Sequence, residues 1–271
     1  MKTALIQLAA TDDKAANLAH AREMIAKAAA AGADIVCLPE MFCCEYKNSS
    51  FVAHQEPHGG PAQAMLSEAA RENGVWLIGG SIPESEGGRL YNTAFVYDRG
   101  GREAAKCRKS HLFDINVRGG QYFRESDTFT PGDRVCTFDT EFGRLGLCIC
   151  FDMRFPELAR LMALGGAWAV FCPASFNMTT GPAHWEIMFR SRAVESQVYT
   201  LGCAPARDEH GSYVSWAHSI IVHPWGNVLA QAEADEAIIC ADLKREEAEA
   251  VREQLPLLSA RRTDMYTLAE R

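Results

Sequence analysis

The chain has no long apolar run, no excess of basic side chains, and none of the short motifs that mark the commoner enzyme chemistries. No stretch reaches the roughly 18 consecutive apolar residues of a membrane span, so no membrane partner is expected. Its 27 Lys and Arg are outnumbered by 35 Asp and Glu, giving a net charge of -8. That balance argues against a nucleic-acid partner, because neutralising phosphates requires clustered cations. An anionic ligand would have to be held by a few local positive charges against the global field. A P-loop, a GxGxxG turn and a GxSxG elbow are all missing, so dinucleotide binding and serine-hydrolase chemistry lack their usual signals. The ten cysteines contain no CxxC pair, and there is no HExxH or zinc-finger spacing, so no metal and no organic cofactor are expected. The start, MKTALIQLAATDDK, carries two Asp where a signal peptide would have its small-residue cleavage region. It reads as a buried first strand, and the expectation is a cytoplasmic protein with reduced thiols.

What is present is an ordinary globular composition, 48% hydrophobic and 23% charged over 271 residues. That length buries a core without needing disulfides. Strand-like and helix-like stretches alternate. TALIQLA, DIVCLP, VWLIGGS, RLGLCIC, AWAVFCPAS, QVYTLGCA and AIICADL read as strands. Residues 17–31, 62–73, 184–196 and 244–253 read as helices, as does PELARLMALG with Pro156 in its first turn. On the first of these, Leu18, Ala21, Ile25, Ala28 and Ala29 share a face, and Gly32 stops it. NTAFVYD and EAAKCRK flank a turn at Arg99–Arg102, and a second hairpin turns at 224–227. No repeat, linker or composition shift marks a boundary, and the mixture implies layered α/β packing.

Three stretches carry chemistry. In CLPEMF a buried strand runs into Pro39 and delivers Glu40 at its carboxyl end, where sites form in α/β sheets. In KCRKSHLF a basic cluster closes a hairpin strand, with Lys109 available as a fixed positive charge. In GLCICFDMRFPE an apolar strand ends at Cys150 and turns towards a helix. This is the thiol version of a nucleophile elbow, in which the next backbone N–H can point at an oxyanion. Each stretch alone has a plain structural reading: a loop carboxylate, a solvated strand end, a buried core thiol. Together they are the parts of a thiol hydrolase that uses a carboxylate as its base.

LPEMF, KCRKSHLFD and CICFDMRFPE, in that order, resemble the three catalytic motifs of the nitrilase (carbon–nitrogen hydrolase) superfamily. IGGSIPE, LYNTAFVY, FRESDTFTPGD, FNMTTGPAHWE and HSIIVHPWGNVLA resemble its ω-amidase branch, and the likeness runs essentially the whole length. It implies a single domain over 1–271, an α/β fold built as a four-layer α-β-β-α sandwich, and a homodimer. It also implies roles. Glu40 takes the Cys150 proton, the thiolate attacks an amide carbonyl, and Lys109 with the Phe151 N–H stabilises the oxyanion. Ammonia leaves, and Glu40 then activates water against the thioester. Glu125 matches a second glutamate that orients the Lys. Tyr46, Phe176, Thr179 and Thr180 match positions lining the pocket. Two loops depart from the pattern, at Cys43–Tyr46 and Val117–Gly120, and both would border that pocket.

For the substrate, Arg154 lies four residues beyond Cys150. It either clamps a carboxylate with its planar fork or pairs with Asp152 to brace the turn. His184 and Trp185 read as packing at a helix start. The expected ligand is a small amide bearing a carboxylate. A deaminated-glutathione amidase, a carbamoyl hydrolase or another aliphatic amidase is the alternative within the family. A non-catalytic binding module and a redox protein using Cys148 and Cys150 are the alternatives outside it. The intact Glu40–Lys109–Cys150 set argues against the first of these. The second is disfavoured because two residues on one strand face stand about 7 Å apart, too far for a disulfide.

Overall fold

The computed structural model describes residues 1–270. From the N-terminus run β1 (Lys2–Gln7), helix α1 (Lys14–Ala30), β2 (Ile35–Cys37), helix α2 (Asn48–Ala53), β3 (Glu56–Pro57), helix α3 (Pro61–Asn73), β4 (Trp76–Ile78), β5 (Ile82–Glu86), β6 (Arg89–Tyr97) and β7 (Glu103–Arg108). A small hairpin of β8 (Asp114–Asn116) and β9 (Tyr122–Arg124) follows. Then come β10 (Cys136–Thr140), β11 (Gly143–Leu147), helix α4 (Pro156–Leu164), β12 (Ala169–Pro173), helix α5 (Gly181–Ser196) and β13 (Tyr199–Cys203). The chain closes with β14 (Ile220–Val222), β15 (Val228–Gln231), β16 (Ala237–Asp242) and helix α6 (Arg245–Gln254).

These strands form two large sheets. The first has the order β16-β1-β2-β4-β6-β5-β3, with β7 also paired to β6; the second is β10-β11-β12-β13-β14-β15. The period-2 pattern of the strands explains the layering. Leu5, Ile35, Cys37, Ile78 and Val96 point to the interior between the sheets, where they join Leu145, Leu147, Phe171 and Leu201. Their sequence neighbours Ala4, Ile6, Val36, Leu77 and Phe95 point the other way and pack under α1 and α3. Helices α4 and α5 cover the outer face of the second sheet. The expected four layers are therefore present.

One expectation on a single element is extended and one needs correcting. On α1 the expected face is the one that packs, with Ala21, Ile25 and Ala28 buried and Leu18 and Ala29 half-buried against the same core, and Asn17 and Met24 join it. Asn17 turns inward because its side chain accepts from Thr11 N and donates to Thr11 O, bracing the loop before the helix. The strand expected to end at Cys150 stops at Leu147, although Cys148 N still bonds across to Phe171 O. Ile149 N is taken instead by the Asp152 carboxylate, and Cys150 adopts φ 47°, which ends any extended run.

The topology fixes where a site can form. β1, β2 and β4 run parallel in one sheet, and β11, β12 and β13 run parallel in the other. Their carboxyl ends are where side chains emerge free of the ladder. The β4–β5 break at Gly79–Gly80 leaves room for the turn after β2. Ser81 N donates to Pro39 O, and the Ser81 hydroxyl accepts from Met41 N at 3.1 Å. Gly80 has φ 59°, and a Cβ there would lie 2.1 Å from Pro39 O. We predict that Gly80→Ala costs roughly 2–4 kcal/mol, through left-handed strain and a forced shift of the Leu38–Pro39 backbone. Urea denaturation checks it, and an unchanged midpoint contradicts it.

Candidate active site

Four backbone segments deliver the chemistry. Glu40 follows β2 and precedes Met41, itself held at φ 53°. Lys109 follows β7, its N–H bonded to Asn92 O. Cys150 opens a short 3-10 turn, Cys150–Arg154, after β11. Glu125 opens another such turn after the β8–β9 hairpin. All four side chains are essentially buried, with Lys109 and Glu125 at 0% exposure.

The Lys109 ammonium lies 2.8 Å from Glu40 Oε1 and 2.7 Å from Glu125 Oε2. Asn92, on β6, donates its amide to both carboxylates, at 2.9 Å each. Phe113 N holds Glu125 Oε2 at 2.6 Å. Tyr46 stands against the same cluster, its hydroxyl 3.4 Å from Glu40 Oε1 and 3.4 Å from Lys109 Nζ. The Cys150 sulfur accepts from Ser175 N at 3.4 Å, and Tyr213 donates its hydroxyl to Ser175 O at 2.5 Å.

The electrostatics follow from one cation among acidic groups in a buried site. Burial works against the Lys109 charge, but Glu125 and Glu40 outweigh it and hold the ammonium's pKa well above the ordinary value. For Glu40, burial raises the pKa, Lys109 offsets only part of this, and the charge of Glu125 adds to the rise. Burial and then Glu40 push the Cys150 thiol well up, against Lys109 and the Ser175 N–H. The resting pair is therefore a neutral thiol beside an acceptor whose proton affinity is raised. Such a pair can move a proton in step with attack on a carbonyl, with no preformed thiolate.

The other predicted residues form a second wall. Arg154 lies over the Phe176 ring at 4.5 Å, and Phe151 is 5.7 Å away on another side. Arg154 Nη1 donates to His184 Nδ1 at 3.0 Å. Burial and the arginine charge lower the His184 pKa, which suits a neutral acceptor. Arg154 is not paired with Asp152, and among the described residues no carboxylate lies within ion-pair distance of it. Burial lowers its own pKa. Thr179 is exposed and Thr180 buried. Both N–H groups and the Thr180 hydroxyl converge on Asn177 Oδ1 at 2.8–3.1 Å. Trp185 packs as expected, edge-on to Phe176. Among the described residues none of the cysteines is disulfide-bonded, and no cluster of three or more His, Cys, Asp or Glu could hold a metal.

Four residues at the site were not singled out from the sequence. Asn92 left a signal, a lone amide within the apolar strand YNTAFVY. Asp152 had been considered only as a partner for Arg154. Its Oδ1 accepts from His111 N and from His111 Nδ1, both at 2.8 Å, and its Oδ2 from Ile149 N at 3.1 Å and Ser110 N at 3.3 Å. One buried carboxylate thus ties the residues after Lys109 to the residue before Cys150. Ser175 and Tyr213 left no local signal.

Comparison with known proteins bears on the family and the fold. The carbon–nitrogen hydrolase family profile matches residues 2–253. The chain is 47% identical to omega-amidase NIT2 of Homo sapiens, covering 98% of this chain and 97% of that one. The structure is similar to that of Saccharomyces cerevisiae Nit3, a member of branch 10 of the nitrilase superfamily. The TM-score is 0.89 at 39% identity, covering 97% and 96% of the two chains. It is also similar to an amidase from Nesterenkonia sp. AN1 whose active site cysteine has undergone Michael addition of acrylamide. There the TM-score is 0.80 at 26% identity, over 98% of both chains.

Removing the Asp152 clamp leaves buried N–H groups unsatisfied at both strand ends. Asp152→Ala is expected to cost at least about 2 kcal/mol of stability. It should also change the rate of Cys150 alkylation by iodoacetamide under folded conditions, whereas Asp152→Asn, which keeps an acceptor, lies between. A melt and an alkylation rate both unchanged in Asp152→Ala contradict the clamp.

Proposed function

The chain belongs to the carbon–nitrogen hydrolase family, and from that premise we propose that this amidase is an ω-amidase acting on small 2-oxo acids. Its substrate is the terminal amide of 2-oxoglutaramate or 2-oxosuccinamate, and its products are the 2-oxo diacid and ammonia. The observation that carries the reading is Arg154: a half-buried guanidinium beside the thiol site, with no carboxylate of its own among the described residues. A substrate carboxylate supplies the missing counter-charge and accepts the two-pronged contact. Phe151, Phe176, Thr179, Thr180 and Tyr46 complete the pocket in this reading, and the aromatic walls limit it to a short chain.

The steps follow from the proton affinities. Glu40 takes the Cys150 proton as sulfur bonds to the amide carbon. Lys109 and the Phe151 N–H receive the charge that develops on the carbonyl oxygen, with roughly 3–4 kcal/mol from a good donor. Glu40 returns the proton to nitrogen, the C–N bond breaks and ammonia leaves a thioester. Glu40 then takes a proton from water as its oxygen bonds to the acyl carbon, and the C–S bond breaks. Glu125 and Asn92 keep Lys109 and Glu40 in register throughout.

Two measurements test this. The base must be ionised to act, and its pKa is raised, so kcat/KM should fall as the pH drops through a value above the ordinary ~4.3 of glutamate. Lys109 is held up and stays charged, so it contributes no alkaline loss near neutrality. Glu40→Gln should slow turnover at least ~10²-fold. An acid limb at or below the ordinary glutamate value, with the protein still folded, contradicts Glu40 as base.

The substrate class rests on Arg154→Lys. A point charge cannot reproduce the fork, so kcat/KM for 2-oxoglutaramate should fall by the equivalent of about 2–5 kcal/mol. A neutral aliphatic amide should be nearly unaffected. Parallel losses on both amides discard the carboxylate clamp and leave a general aliphatic amidase.

A further inference from the structure

The site has a second side. A cavity of about 50 Å³ reaches Glu40, Tyr46 and Ser175 from beneath the segment 205–215 and the end of β1. It has room for water molecules. It is far below the roughly 300 Å³ of a pocket that takes up a small organic ligand. Cys150, Arg154, Phe151, Phe176 and the two threonines do not line it. Most of the residues expected to hold the substrate therefore lie apart from this cavity, while Glu40 and Tyr46 are shared between the two.

Two further observations point to what it takes. Glu40 Oε2 and Ser175 Oγ are buried oxygens with no hydrogen-bond partner in the protein, and both residues line the cavity. A buried polar atom left unpaired is costly, and a small polar ligand with both donors and acceptors satisfies such a pair. The lining also includes the carboxylates of Glu45 and Asp208, which disfavour an anion and leave a neutral ligand free to pass. The wall is shared with Tyr46 and Tyr213, whose rings stand 4.6 Å apart.

We propose that this cavity is the site from which water reaches Glu40 for thioester hydrolysis, separate from the way in for the amide. The proposal rests on the amidase reading above and adds to it a route for the second substrate. Water held at Glu40 gives one proton to the carboxylate while its oxygen bonds to the acyl carbon. The C–S bond breaks, and the proton passes from Glu40 to the Cys150 sulfur. The acyl group occupies the Arg154 side at that moment, so a second approach lets water reach the base without having to pass the bound acyl group.

The test fills the cavity and separates the two half-reactions. Ala206 lines it and is buried, and Ala9 lines it nearer the surface. Ala206→Leu and Ala9→Leu, each in the full chain, are mixed with 2-oxoglutaramate in rapid-quench experiments. Ammonia is followed for acylation, the 2-oxo diacid for hydrolysis, and intact mass for the thioester. In at least one folded variant we expect one equivalent of ammonia per site at the unaltered rate. Release of the acid should slow at least tenfold, with the thioester accumulating on Cys150. An ammonia phase slowed as much as acid release means that the cavity serves the amide and overturns the proposal. So does a thioester lifetime unchanged in every folded variant. Failure of the unsubstituted protein to release ammonia from any amide overturns the amidase reading itself, a result distinct from the other two.

Discussion

One buried ammonium between two buried carboxylates constrains everything else at this site. A charge removed from water costs several kcal/mol unless its partners are close and well placed. Lys109 meets that condition only because Glu40 and Glu125 approach it at 2.8 and 2.7 Å and Asn92 bonds to both acids. The four residues come from the end of β2, the end of β7, the middle of β6 and the turn after the β8–β9 hairpin. The cluster therefore holds these segments to one another as much as it equips them chemically. Loss of the ammonium would leave two carboxylates facing each other in a dry interior.

The same charge count tunes the thiol chemistry. With one cation and two acids, the site carries a surplus of negative charge, which adds to burial, the larger cause, in raising the proton affinities of Glu40 and Cys150. The surplus disfavours a standing thiolate and favours a proton that moves when a carbonyl arrives. Arg154 has the opposite problem, a half-buried cation with only a neutral imidazole and aromatic faces around it. In the reading proposed above, a substrate carboxylate supplies the counter-charge that Arg154 lacks.

Two of the five non-glycine residues with positive φ among the described residues lie where reactive groups emerge. Met41, beside Glu40, and Cys150 both lie in the left-handed region, with φ of 53° and 47°. Such positions persist only where surrounding bonds over-determine them. Here those bonds are visible: Met41 N on the Ser81 hydroxyl, and Ile149 N on the Asp152 carboxylate. The glycines of the β4–β5 break make room for the first. The groups that fix these two strained positions are thus a hydroxyl and a carboxylate whose charge is spent on N–H groups, and neither takes part in the chemistry.

The sequence by itself determined the alternation of strands and helices and the candidate reactive set, and its family resemblance gave the four layers. Period-2 alternation in β1 and β2, the Pro at the start of α4 and the Gly after α1 act within a few residues, so they are readable without the fold. Glu40, Lys109 and Cys150 were readable as candidates because each follows a strand within a short motif, although the strand before Cys150 stops at Leu147 and β7 is not apolar. What the tertiary structure decided is what those ends meet. The role of Asp152 was missed because its partners Ser110 and His111 are some forty residues distant, and a carboxylate two residues after the Cys gives no hint of them. Arg154 left two choices open in sequence, and only the arrival of His184 and Phe176 from another segment settled which neighbours it has. Ser175 and Tyr213 carry no local signal at all. Ser175 reaches the sulfur because β12 runs parallel beside β11, and Tyr213 arrives on the segment between β13 and β14; pairing between distant segments of that kind is not encoded in any single stretch of chain.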